Sequence, residues 1–87
     1  MNKVRGYVIP VFSKEMSVLE TVHKLGPCTS SQVKDALQGN LELLMVMRTL
    51  HSLLAKGLLE RVVVDGERFY KTKNNFKTFR QYLKRVE

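Results

Sequence analysis

The sequence predicts a mainly α-helical fold with a small β-hairpin: a three-helix core, then the hairpin, then an extra C-terminal helix. Three observations predict it. Breakers at Gly26-Pro27, Gly39-Asn40, Gly57 and Asp65-Gly66 separate periodic segments. Up to Gly57 the apolar residues recur at helical spacing, whereas the runs on either side of Asp65-Gly66 are β-branched and aromatic. A last amphipathic stripe follows residue 75.

Gly6 to Phe12 is short and β-rich, so residues 1–13 are expected to form an arm or an extra strand. The first helix spans about Lys14 to Leu25. Ser13 suits its N-cap, Glu15 sits in the first turn, and Val18, Leu19, Val22 and Leu25 form one stripe. Thr29-Ser30-Ser31-Gln32 has the capping-box pattern and opens a short second helix, with Val33, Ala36 and Leu37 on its inner face. The third helix is expected from an Asn40 cap to Lys56, with Gly57 just past its end. Stepping about 100° per residue groups Leu43, Val46, Met47, Leu50, Leu53 and Leu54 on its inner arc. The outer arc then reads Leu41, Met45, Arg48, Thr49, Ser52 and Lys56, with Leu44 and His51 flanking the two. Leu59 to Val64 and Glu67 to Thr72 form the hairpin. Its two-residue turn pairs Val64 with Glu67, Val63 with Arg68, Val62 with Phe69 and Arg61 with Tyr70. Asn75 to Val86 carries Phe76, Phe79, Tyr82, Leu83 and Val86 on one helical stripe. The domain proper is therefore 14–73, with 74–87 as an amphipathic helical extension.

Eighty-seven residues make one small domain, and 44% hydrophobic content is enough for a core. Fifteen Lys+Arg against eight Asp+Glu leave a net charge of +7. Most of that excess lies at the ends. Lys3, Arg5 and Lys14 face no acid among residues 1–14, and Lys77, Arg80, Lys84 and Arg85 face only Glu87 among residues 74–87. Such a field favours a polyanion, nucleic acid first and an acidic membrane surface second; solubility alone is the plainer reading. One cysteine, Cys28, allows no internal disulfide and no zinc motif. Its place before a helix suits either an activated thiol or, more simply, a half-buried loop residue. His23 and His51 lack metal-ligand spacing, and no Gly-rich phosphate loop or Ser/His/Asp order is present, so no enzyme chemistry and no cofactor are expected. The N-terminal apolar run is short and broken by Pro10, unlike a secretory signal, and no window approaches a membrane span. A cytoplasmic, nucleoid-associated protein is expected.

The order of three helices and a hairpin resembles the winged helix-turn-helix superfamily over roughly residues 14–73. The stretch from Gly26 to Leu37 resembles that superfamily's loop into the second helix, and Met47 to Arg61 resembles the end of a recognition helix leading into the wing. Arg48, Leu50, Leu53, Lys56-Gly57-Leu58-Leu59 and Arg61 carry the likeness. It implies a third helix in the DNA major groove and a hairpin wing against the flanking backbone. An α-helix fits that groove, and exposed polar side chains reach base edges there.

On this resemblance Arg48 is expected at a guanine or a phosphate, Thr49 and Ser52 at either, and Lys56 at a phosphate, with Asn40 and Met45 at the helix start. Ser30, Ser31 and Lys34 open the second helix toward a phosphate. Arg68, Lys71 and Lys73 of the wing are expected to supply affinity rather than sequence reading. Leu41, Leu44 and Met45 suit a protein contact as readily as thymine methyls. The acidic tip, Asp65-Gly66-Glu67, suits a minor-groove wing poorly and points to Arg68 acting from the side. The stripe of Phe76, Phe79, Tyr82, Leu83 and Val86 either covers the domain's own core or pairs two copies, the second being preferred because a homodimer reads a palindrome. The function expected is a small homodimeric transcriptional regulator binding double-stranded DNA. The rivals are a winged-helix protein-interaction module and an architectural DNA-binding protein of replication or recombination.

Overall fold

The computed structural model describes residues 9–73 and 82–85. In chain order they form β1 (Ile9–Val11), α1 (Ser13–Leu25), α2 (Ser30–Ala36), α3 (Leu43–Ala55), β2 (Leu59–Val64), β3 (Glu67–Thr72) and β4 (Leu83–Arg85). The three helices enclose a core closed on one side by the β2–β3 hairpin and on another by a parallel β1–β4 pair.

α1 starts one residue earlier than its sequence suggests. Phe12, not Ser13, is the N-cap, and its orphan N–H donates to Glu15 Oε1 at 2.9 Å. The stripe of Val18, Leu19 and Val22 is fully buried, while Leu25 at the frayed end is exposed. α2 keeps its capping box: the Gln32 amide donates to Thr29 Oγ1 at 3.2 Å and the Thr29 amide to Gln32 Oε1 at 2.8 Å. Only Val33 of its expected inner face is buried. Leu37 is half-buried and Ala36 exposed, because the helix is too short to present a full stripe.

α3 begins at Leu43 with Glu42 as N-cap, three residues after the expected start. Gln38 and Gly39 both take positive φ, 56° and 80°, and the Asn40 amide donates to Leu37 O at 3.1 Å. Asn40 therefore closes a turn instead of opening a helix. The inner face of α3 is Val46, Thr49, Leu50 and Leu53, and Leu43 is 38% exposed. Relative to the expected arc the helix is turned by about 50° about its axis.

The hairpin has the expected register throughout, from Val64↔Glu67 to Leu59↔Thr72. Asp65 (φ 53°) and Gly66 (φ 80°) both take the left-handed conformation that a tight two-residue hairpin turn demands. Cys28, expected in a loop, instead bridges to Tyr70. The Cys28 amide donates to Tyr70 O at 3.0 Å and the Tyr70 amide to Cys28 O at 2.7 Å, which anchors β3 to the entrance of α2. Burial pushes the Cys28 thiol pKa up, the reverse of activation.

The expected helix over Asn75–Val86 is corrected where it can be compared. Leu83–Arg85 is a strand, parallel to β1 in the register Ile9↔Leu83, Pro10↔Lys84, Val11↔Arg85. β1 offers an unpaired edge, and pairing there satisfies backbone groups while setting Leu83 against the core beside fully buried Val11. The remainder of that stretch, including Phe76, Phe79 and Val86, lies outside the described residues.

Leu50 is fully buried at the centre of α3. Replacing Leu50 with Ala is expected to lower unfolding free energy by about 2–5 kcal/mol, read from a urea titration followed by far-UV circular dichroism. A loss below about 1 kcal/mol would show that α3 does not pack on this face.

Candidate nucleic-acid interface

The exposed surface of α3 is built from Leu44, Arg48, His51 and Ala55, which succeed one another at three- and four-residue steps. Met45 and Met47 lie half-buried on its two sides. Arg48 is therefore central and open, as expected. His51, read from the sequence as a flanking residue, shares the open face. The same 50° turn that hides Thr49 brings His51 and Leu44 forward.

Three polar residues expected on the outer arc are engaged by their own chain. Thr49 is 4% exposed and its hydroxyl donates to Met45 O at 2.7 Å, one turn back. Ser52 Oγ donates to Glu15 Oε2 at 2.5 Å. Lys56 Nζ donates to Glu15 Oε1 at 2.6 Å and to Pro10 O at 2.9 Å, and lies 5.6 Å from the centre of the Phe12 ring. The Ser52 and Lys56 contacts join the C-terminal end of α3 to the start of α1, while Thr49 bonds within α3, so these three residues, expected at the groove, are engaged by their own chain.

Glu15 is the centre of that arrangement. Its side chain is 6% exposed. Burial pushes its carboxyl pKa up, but the hydrogen bonds from Lys56, Ser52 and the Phe12 amide, with the Lys56 charge, outweigh burial and hold it below the ordinary value of 4.5.

On one flank of α3, a cleft opens between the start of α2 and the hairpin, lined by Thr29, Ser30, Ser31, Met47, Arg68 and Tyr70, with Gly66 and the Glu67 carboxylate at its wing end. Ser31 and Arg68 are exposed there and Ser30 is half-buried. The expected side-on role of Arg68 thus has a surface to act on. Lys34 is half-buried on α2. Lys71 faces away from this cleft: it lies 4.0 Å from Glu60 on the opposite face of the hairpin, beside Pro27, Val62 and Phe69. Lys73 reaches over the Gly57 turn at the base of the hairpin.

On the other flank, a second cleft lies between the first turn of α1 and α3, with Phe12, Lys14 and Arg48 on its walls. Lys14 Nζ approaches Met45 Sδ at 3.8 Å, over the start of α3. Asn40 lies nearby, lining a recess with Lys14, Ser17 and Leu41. In the sequence Lys14 stands out only as one of the N-terminal bases, at the start of the first helix, and Phe12 only as the end of the β-rich segment; neither was expected at a site beside α3.

Of the residues expected at a subunit contact, Tyr82 and Leu83 are described. Both are half-buried, and Leu83 packs on the core of its own chain. Among the described residues no cluster of three or more His, Cys, Asp or Glu is placed to hold a metal, and no helix is long and apolar enough to cross a membrane.

The sequence pattern of the penicillinase repressor family matches residues 13–82. Among solved structures, the fold superposes on the Multiple Antibiotic Resistance Repressor, MarR, with a TM-score of 0.67 at 19% identity, covering 86% of this chain and 54% of that one. The chain thus spans about half the length of the MarR chain, and the likeness is one of fold. A search of curated protein sequences finds none that matches.

The Glu15 geometry sets a pH dependence. A carboxylate whose folded pKa is depressed contributes stability fully above its unfolded value and loses it as pH falls through the folded one. Unfolding free energy is therefore expected to drop in acid from about pH 4.5 downward. In Glu15→Gln that part of the drop disappears and stability is already lower at neutral pH. Parallel urea titrations of both proteins across this range check it; superimposable pH profiles would contradict the assignment.

Proposed function

The chain belongs to the penicillinase repressor family, whose members are DNA-binding transcriptional regulators, and we propose that it reads the major groove of duplex DNA with the face of α3 formed by Leu44, Arg48 and His51. The observation that carries this reading is Arg48. It stands open at the middle of α3, and a second open arginine, Arg68, lines the cleft that begins at the neighbouring Met47. A guanidinium offers a guanine two parallel donors, and His51, one turn away, offers a further donor or acceptor. Leu44 provides an apolar surface for a thymine methyl. Ser30, Ser31 and Arg68 then bind a phosphate strand between α2 and the wing, setting register and affinity without reading bases. Lys34, Lys73 and Asn40 contribute positive potential or hydrogen bonds at the rim. The protein acts in the cytoplasm by occupying a promoter, with no cofactor and no catalytic step.

Two copies acting as a homodimer on an inverted repeat would double the contacted site, and the apolar spacing of Phe76, Phe79 and Tyr82 in the sequence supports such pairing. Sedimentation at concentrations spanning the micromolar range tests this; a monomer throughout, on and off DNA, overturns it.

One observation favours a second reading. Leu43 and Leu44 are 38% and 59% exposed at the start of α3, where a protein partner's apolar surface would fit.

Selection of bound duplexes from a random pool decides between them. The groove reading expects an enriched motif, and binding that weakens by roughly 10³ or more from low to moderate salt if about six phosphates are contacted. Arg48→Ala is expected to relax preference at one position, at a cost of about 1–3 kcal/mol there, while Arg68→Ala weakens all sequences alike. Binding without any enriched motif would indicate an architectural role. Failure to shift any duplex at low salt would favour the protein-partner reading.

A further inference from the structure

We infer that the cleft between the first turn of α1 and α3 seats the second sugar–phosphate strand of the duplex, with Lys14 on a phosphate and the Phe12 ring against a deoxyribose. The inference rests on the groove reading of α3 and extends it to residues that neither the helical pattern nor the wing assigns.

A helix lying in the major groove has a phosphate strand on each side of it. One flank of α3 has the Ser31 and Arg68 cleft. The opposite flank has the cleft lined by Phe12, Lys14, Arg48, Thr49 and Ser52. Its chemistry suits a sugar–phosphate chain, which alternates an anion with an apolar ring. The Lys14 ammonium stands over the start of α3, 3.8 Å from Met45 Sδ, and its side chain is exposed. Phe12 is 53% exposed, because the extended backbone that buries Val11 turns the next side chain outward, and its ring carries Lys56 Nζ 5.6 Å from its centre. The one carboxylate lining the cleft, Glu15, has its charge balanced by Lys56 and accepts a hydrogen bond from Ser52, so it leaves the Lys14 and Arg48 charges uncancelled. Charge and apolar surface are thus both complementary to the strand. The Glu15 contacts fix α3 to α1, so Lys14 and Arg48 are held at a set separation across the cleft.

Salt titration of binding to one duplex tests this with Lys14→Ala, Arg68→Ala and, as a charge control, Lys24→Ala at the far end of α1. Lys14→Ala is expected to weaken every sequence by a similar factor, several-fold at low salt, and to reduce the slope of log affinity against log salt by about one. Lys24→Ala is expected to change neither. Phe12→Ser is expected to weaken binding with the slope unchanged, its thermal melt reporting whether the fold is kept; Lys14, being exposed, tests the site independently of that result. An unchanged slope for Lys14→Ala, alongside a reduced one for Arg68→Ala, overturns this second strand site and leaves the groove reading intact. Equal losses for Lys14→Ala and Lys24→Ala overturn it too, since net charge alone would then act. Absence of any wild-type binding at low salt overturns both readings.

Discussion

The geometry of this domain depends on one buried carboxylate. Glu15 accepts from the Phe12 amide behind it and from Ser52 and Lys56 of α3 in front of it, and Lys56 continues to the backbone of Pro10. A lone carboxylate in that position would be costly to bury; with three donors, one of them charged, it becomes a joint between the start of α1, β1 and the last turns of α3. Leucines and valines fill the core, but their contacts are tolerant of rotation about the helix axis. The directional hydrogen bonds at Glu15 are not. They select which side of α3 is turned inward, and so which side chains remain for a partner.

That selection explains what the sequence disclosed and what it concealed. The hairpin register was legible because Asp65-Gly66 admits only one tight turn, and a two-residue turn dictates every pair behind it. The order of three helices and a wing followed from breakers at Gly26-Pro27, Gly39 and Gly57. The orientation of α3 did not follow. Its apolar residues occupy so much of the circumference that a wheel centred on leucines could be turned either way, and the hydroxyl of Thr49 satisfies itself on Met45 O and travels inward with them. Arg48 survives either orientation; Ser52 and Lys56 do not, because their partner Glu15 is 37 and 41 residues away and carries no local signature. The strand at Leu83–Arg85 was not legible for a related reason. Leu83 and its neighbours have helical spacing, yet β1 supplies backbone partners that periodicity cannot register. The strand-like bridge at Cys28 was invisible for the same cause: two hydrogen bonds to Tyr70 leave no mark on composition.

The surface that results is mixed in character. One arginine and one histidine emerge among leucine and methionine, and the two clefts beside α3 differ, the one toward the wing being polar and the one toward α1 largely apolar. On the proposed groove reading, a helix of this composition offers few base-specific donors. Discrimination between duplexes then rests on a small number of contacts together with the placement of backbone strands, which is sensitive to duplex shape.

The parallel pairing of β1 with β4 joins Ile9 to Leu83, two residues far apart in sequence. Closing so long a loop is entropically slow, and no other element can substitute for the missing partner. During synthesis the helices and hairpin can assemble as they emerge, while β1 waits with a bare edge until residue 85 has been added. Until β4 reaches it, β1 displays an open strand edge of the kind that invites association with neighbouring chains.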